Sequence, residues 1–337
     1  MQILYLIGNG FDINLNMKTR YTDFYKYYKR KISKNEVIIK LKSKIEEEKE
    51  KVSNWSDLEF SLGEYTSKLK SYEEFEIIYD DLLEKFGDYL QKIEDKTDWK
   101  LSNINLLKEY LCYPERSLMQ REINDLNKFK NLFKINQWEI DIVTFNYTRS
   151  IERLLDENFK NINIGKHHNG TDIRLKNVLH IHGDLKNMVL GVNDISQLEN
   201  KDFHSNNKIL KAFIKPFNNR RQGHTIDDFL ERKISQSNLI CIFGSSLGET
   251  DKIWWEKIGK HLLTNDLSRL IIFTTTNISP KRAIHKIGDY EDEFKDLFLK
   301  RSGLNDDERE IVNDKIYVRA NTNMFSSLLA KPDSADL

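Results

Sequence analysis

The apolar positions of the chain fall into two patterns. Short continuous aliphatic runs read as strands buried on both faces: Ile3 to Ile7, Ile140 to Phe145, Val178 to Ile181, Met188 to Val192, Leu239 to Phe243 and Leu270 to Thr274. Between them the apolar residues recur at helical spacing. One helix is expected from about Thr22, taken as its N-cap ahead of Asp23 and a Tyr/Phe-rich face. Another runs through Leu155, residues 195–236 are mostly helical, and a further helix spans about Asp251 to Leu263. Residues 34–136 change character. They are rich in Lys and Glu, carry Phe75, Ile78, Leu82 and Phe86 at helical intervals, and contain a single proline, Pro114. This region is expected to be an inserted helical lobe, with residues 1–33 and 137–337 forming the core.

Strands alternating with helices imply an α/β fold with a mainly parallel sheet covered on both faces. Ligands of such sheets bind at the carboxyl ends of the strands, and each unusual motif of this chain falls at one of those ends.

Composition narrows the classes. With 39% hydrophobic and 31% charged residues, the 337-residue chain is globular rather than disordered. Lys plus Arg equals Asp plus Glu at 53 each, so net charge gives no indication of a nucleic-acid partner or an anionic membrane surface. The densest charge run, Ile45 to Lys51, mixes both signs and reads as a solvated helix face. Two distant cysteines, Cys112 and Cys241, supply neither a disulfide framework nor a cysteine zinc site, and no zinc is expected. No signal-peptide pattern or membrane-length segment is seen, which gives an expectation of a soluble, cytoplasmic protein.

Gly8-Asn9-Gly10-Phe11-Asp12 follows the first strand. Its glycines allow a backbone to approach a phosphate closely, and turn amides can donate to it. The full Gly-x-Gly-x-x-Gly pattern is absent, because residue 13 is Ile, and an ordinary tight turn is the plain alternative. Asp12 can bond ribose hydroxyls or cap the next segment. Asn146 ends the strand Thr144-Phe145-Asn146, where an amide can orient a water or a hydroxyl. In His180-Ile181-His182-Gly183-Asp184, continuation of the strand would put His180, His182 and Asp184 on one face, a spacing that also suits a divalent metal. His180 is read as a satisfied core histidine, and His182, beside Gly183, as functional. Gly244-Ser245-Ser246 offers hydroxyls and amides for phosphate or adenosine, while Asp251 is read as a helix cap and Trp254 and Trp255 as packing residues.

Together these segments resemble the AbiH family of bacterial abortive phage infection. The resemblance rests on Leu6 to Asp12, Tyr21-Thr22-Asp23-Phe24, Trp55-Ser56-Asp57-Leu58-Glu59, Phe145 to Thr148, Ile181-His182-Gly183 and Gly244 to Asp251, in order along nearly the whole chain. That family is in turn similar to the sirtuin-like, Rossmann-like NAD-binding proteins, which carry a Gly-Ala-Gly turn, an Asn at a strand end, a His-Gly and a Gly-Thr-Ser in the same order. The resemblance implies catalytic roles for Asn146 and His182. It implies dinucleotide contacts from Gly8, Asn9, Gly10, Phe11, Asp12, Asp23, Gly183, Gly244, Ser245 and Ser246. Two departures argue against protein deacylation: the four-cysteine zinc module is missing, and the sirtuin Asp-Phe-Arg is matched at best by Asp23-Phe24-Tyr25.

Three functions are therefore expected to compete. The first is hydrolysis of NAD at the nicotinamide–ribose bond, with Asn146 positioning water or ribose and His182 accepting a proton. The second is a metal-dependent hydrolase or nuclease built on His180, His182 and Asp184. The third is a non-catalytic nucleotide sensor or scaffold. A phage or host protein as trigger and a homo-oligomer are compatible with all three. Trp55, Asp57 and Glu59 either line the pocket or serve packing and capping, and the latter is preferred.

Overall fold

The computed structural model describes residues 1–48, 57–167, 169–221, 225–278 and 284–329. Trp55, Ser56 and the end of the mixed-charge run, Lys49 to Lys51, lie outside the described residues. Among those described are seven strands: β1 Gln2–Ile7, β2 Trp138–Thr144, β3 Ile162–Lys166, β4 Asp172–His180, β5 Leu239–Phe243, β6 Arg269–Thr274 and β7 Ile316–Ala320. They form one sheet in the order β3-β4-β2-β1-β5-β6-β7. Every pairing is parallel except that of β3 with β4. The α/β class and the mainly parallel sheet are as the pattern predicts.

Helices α1 Gly10–Asn14 and α2 Tyr21–Lys29 follow β1, and α3 Glu36–Glu48, α4 Leu58–Tyr65, α5 Tyr72–Lys96, α6 Ile104–Cys112 and α7 Gln120–Asn131 precede β2. After β2 come α8 Ser150–Leu154, α9 Asn207–Phe213, α10 Lys215–Arg221 and α11 Ile226–Gln236. The last are α12 Lys252–Thr264, α13 Ile284–Arg301 and α14 Asp306–Asn313. The first long helix starts one residue before Thr22, with Arg20 rather than Thr22 as its N-cap.

Side chains alternate across the pleat as period two demands. Ile3, Tyr5 and Ile7 of β1 join one buried cluster with Ile140, Cys241 and Phe273, covered by α6, α7 and residues 324–328. Leu4 and Leu6 join the opposite cluster, covered by α11, α12, α13 and α14. Trp254 and Trp255 are buried in that second cluster, in the packing role expected of them. A third cluster is all helix and loop: α2, α3, α4, α5 and α9 close around Tyr147, Leu190 and Val192.

Met188 to Val192 is not a strand. It is a buried loop with a single bridge, Val192 to Ile214. Side chains and loop backbone, not a neighbouring strand, satisfy it: Tyr79 donates to Leu190 O at 2.9 Å and Tyr147 to Val189 O at 3.2 Å, while Val189 N donates to His182 O and Val192 N to Phe213 O. The strand expected at Val178 begins earlier, at Asp172, and ends at His180. Gly183 then turns the chain at φ 72°, so His180, His182 and Asp184 do not share a strand face.

At the carboxyl edge of the central strands two glycine loops clasp each other. Gly10 N donates to Gly244 O at 2.8 Å, and Gly8 N to Phe243 O at 2.8 Å. Gly244 sits at φ 67°, and a Cβ there would lie 2.6 Å from Gly10 Cα. Gly244→Ala is therefore expected to destabilise by about 2–4 kcal/mol, from backbone strain plus a clash that only backbone movement relieves. Gly288→Ala, inside α13 where a Cβ meets nothing within 4 Å, is expected to be neutral or stabilising by under about 1 kcal/mol. Urea unfolding of both variants checks the contrast; equal effects would contradict it.

Candidate functional site

A cavity of about 660 Å³ opens at this carboxyl edge, within the size range of small-molecule and cofactor sites, about 300–1,000 Å³. Its wall includes Gly8, Asn9, Gly10, Asn146, His182, Gly244, Ser245 and Ser246. Four segments distant in the chain, picked out from sequence, thus meet around one space. Four other expected residues do not line it. Phe11 packs edge-on against Phe243 and Phe325 in the core. Asp12 is buried and accepts from the hydroxyls of Thr148 and Ser150; desolvation lifts its carboxyl to about 6 against those bonds. Asp23 pairs with Lys26 on the outside of α2 at 3.5 Å. Gly183 serves the turn, where a Cβ would collide with Asn187 O.

The glycine loop offers few donors. The amides of Gly8, Gly10 and Phe11 are already bonded to backbone oxygens. The Asn9 side chain is closed on Thr19, accepting from its hydroxyl at 2.6 Å and donating to its carbonyl at 3.1 Å. The glycines therefore serve the loop-to-loop approach first. Across the clasp, the amides of Ser245 and Ser246 donate to no described atom. Arg20, exposed at the wall, adds a positive charge that sequence reasoning did not locate.

The two histidines part company. His180 has both ring nitrogens engaged, Nδ1 with Asn146 O at 2.7 Å and Nε2 with Glu152 Oε1 at 2.8 Å. Burial opposes its protonation, but Glu152, the Asn146 carbonyl and Asp184 together outweigh burial and raise its pKa. It is a satisfied core histidine, as expected. Asp184 accepts from Lys186 N in its own turn. Among the described residues no group of three His, Cys, Asp or Glu side chains is placed to hold a metal ion.

His182 instead joins a buried ionic cluster. Lys215, at the start of α10 and 2% exposed, donates to Glu59 Oε2 at 2.7 Å, and its Nζ lies 3.5 Å from His182 Nδ1 and 3.8 Å from Asp251 Oδ1. Asp251 does not cap α12 with its side chain; the pull of Lys215 and His182 overrides the local capping preference. Its Oδ1 lies 3.2 Å from His182 Nε2, yet Nε2 has no aligned hydrogen-bond partner. Burial favours the neutral Asp251 carboxyl, but Lys215 and His182 together hold it at about 2. Lys215 is opposed by burial too, and Glu59 and Asp251 outweigh that and raise its pKa. On the same wall Asp57 caps α4, accepting from Glu59 N and Phe60 N, and its Oδ2 accepts from Thr250 Oγ1 at 3.2 Å. Burial, then the charge of Glu59, lifts the Asp57 carboxyl to about 6. Asp57 thus both caps and lines the cavity, and Glu59 both packs and pairs.

A larger hollow of about 740 Å³ between α6, α13 and the end of β7 shares only Thr322 with this cavity and holds none of the expected residues.

Fold and cavity define an α/β protein with a small-molecule-sized cavity at the carboxyl edge of a mainly parallel sheet. Residues 4–273 match the family described as bacteriophage abortive infection AbiH, and the chain belongs to that family. The match ends within β6, so α13, α14 and β7 lie beyond it. No curated protein matches the chain significantly in sequence. Among the described residues no helix is long and apolar enough to cross a membrane.

The Asp57 shift has a consequence for stability. Between pH 3.8, its ordinary pKa, and about 6 the folded chain keeps a proton that the unfolded chain has released, so this group lowers stability as pH rises through that window. Asp57→Asn keeps an N-cap acceptor. Relative to wild type it is expected to gain roughly 1–3 kcal/mol at pH 8 and little at pH 4. Asp12 titrates in the same window in both proteins and cancels from the comparison. Urea unfolding at the two pH values checks this; a difference independent of pH would refute it.

Proposed function

We propose that this abortive-infection protein hydrolyses NAD at the nicotinamide–ribose bond in the cavity at the strand ends. On this reading the core, residues 1–33 and 137–337, is Rossmann-like and sirtuin-like, and residues 34–136 are an insertion whose helix α4 closes one wall. The observation that carries the reading is the meeting of Asn146, His182 and the Ser245–Ser246 loop around one space of cofactor size.

The chemistry asks little of a nucleophile. The C1′–N bond breaks, its electron pair neutralises the pyridinium ring, and water adds to the cationic sugar carbon and loses a proton. Such a step is accelerated by placement and by fixed charge. Asn146 is suited to orienting water or a ribose hydroxyl, and the Ser245 and Ser246 amides with Arg20 suit the pyrophosphate. Asp251, held ionised, supplies negative charge for the ribosyl cation. Asp57, titrating near about 6, suits the released proton, since paired carboxyls with separated pKa values divide such roles. A metal reading gains no support, because His180 and Asp184 are committed elsewhere. A binding-only sensor shares the cavity and differs in turnover.

Purified protein incubated with NAD, with and without extract from phage-infected cells, is expected to release nicotinamide in at least one condition. His182→Ala and Asn146→Ala, which remove a hydrogen-bond donor and an orienting amide, should each lower the rate by about 10²-fold or more. Nicotinamide is followed by chromatography and NAD binding by calorimetry. Persistent NAD in both conditions, with His182→Ala still protecting cells, would overturn the reading, and NAD affinity without turnover would leave the sensor in its place.

A further inference from the structure

We infer that Lys215, held in place by Glu59, is a positioning residue that sets the tautomer of His182, so that the ring meets the site as a hydrogen-bond donor through Nε2. The inference deepens the proposed function, and its relevance to turnover rests on that reading.

The geometry is specific. An ammonium has three donors and no acceptor. Around Lys215 Nζ stand three groups able to accept: Glu59 Oε2 at 2.7 Å, His182 Nδ1 at 3.5 Å and Asp251 Oδ1 at 3.8 Å. Only a lone pair on Nδ1 is compatible with an ammonium at that distance. A neutral imidazole with its lone pair on Nδ1 carries its proton on Nε2. Nε2 is the atom left buried without an aligned partner, although Asp251 Oδ1 is 3.2 Å away. A buried donor left unbonded is costly and uncommon, and this one belongs to a side chain on the cavity wall.

Lys215 cannot drift from this position cheaply. It is 2% exposed, and Glu59 is itself fixed, its Oε1 accepting from the Tyr147 hydroxyl at 2.7 Å and from Gly191 N at 3.3 Å. Phe145 meets the His182 ring edge-on at 5.6 Å between centroids and limits its rotation. A protonated Nε2 therefore faces Asp251 Oδ1 and the cavity as a donor, and the proton-accepting role first expected of His182 passes to another group.

Selective ¹⁵N-histidine labelling of the full chain, which has 8 histidines, tests this without any activity measurement. The His182 signals are assigned by their loss in His182→Gln. In wild type they are expected to show a bare Nδ1 and a protonated Nε2; a proton on Nδ1 overturns the inference. Lys215→Met alone leaves Glu59 unpaired and endangers folding, so the paired variant Glu59→Gln/Lys215→Met, with folding checked by circular dichroism, is the informative one. It is expected to populate both tautomers and to lose at least about tenfold in NAD turnover, mainly in kcat. An unchanged tautomer in that folded variant also overturns the inference. If NAD is never consumed but the tautomer behaves as stated, the proposed function fails and the positioning role of Lys215 stands.

Discussion

The buried ammonium of Lys215 is the constraint around which the cavity is organised. Removing a charge from water costs several kcal/mol per ion unless good partners replace the lost hydration. Here those partners come from three separate places: Glu59 on α4, His182 just past β4 and Asp251 ahead of α12. None is close to another in sequence. Pairing them fixes how the helices before β2 meet the sheet edge, because Glu59 brings α4 with it. The second oxygen of Glu59 then accepts from Tyr147 and Gly191, which helps to hold residues 188–192 as a buried loop instead of a strand.

The glycine clasp performs the complementary task on the other side. With Gly10 and Gly244 in backbone contact, the loops after β1 and β5 form one surface, and any side chain at either position would part them. This close approach consumes the amides that a phosphate-binding turn would present. The donors left open on the cavity wall are then the amides of the neighbouring Ser245 and Ser246 and the Arg20 side chain. A Gly-x-Gly after a first strand has two physical uses, approach to a ligand and approach to another backbone, and the hydrogen bonds of this turn show the second.

The central strands were legible in the sequence because β1, β2, β5 and β6 are buried on both faces and read as unbroken apolar runs. The outer strands were not. In β7 Tyr317 and Arg319 alternate with buried Ile316 and Val318, and in β3 Ile164 is the one buried residue of Ile162–Lys166, so neither run exceeds what a loop contains. Met188 to Val192 misled for the converse reason: it is apolar because helices cover it, and side chains and loop backbone supply its hydrogen bonds. Within the site, Asn146 and His182 were marked by ending apolar runs. Lys215 carried no such mark, being one lysine in a lysine-rich chain. An acid ahead of a helix is ordinarily a cap, and Asp251 departs from that because His182 at 3.2 Å and the buried ammonium of Lys215 at 3.8 Å compete with the helix for it. Local rules placed Asn146, His182 and the Ser245–Ser246 loop at the strand ends, and the tertiary pairing decided what surrounds them there.

The same pairing separates the two carboxylates of the cavity. Asp251 lies near both Lys215 and His182, so its burial is overcompensated and it stays ionised down to about pH 2. Asp57 is as deeply placed but feels Glu59 before it feels Lys215, and its carboxyl rises to about 6. Since Glu59 is also the partner that holds the ammonium, one residue depresses one acid indirectly and elevates the other directly. The cavity thereby acquires a permanent anion and an acid poised close to neutrality, although no single segment of the chain contains both.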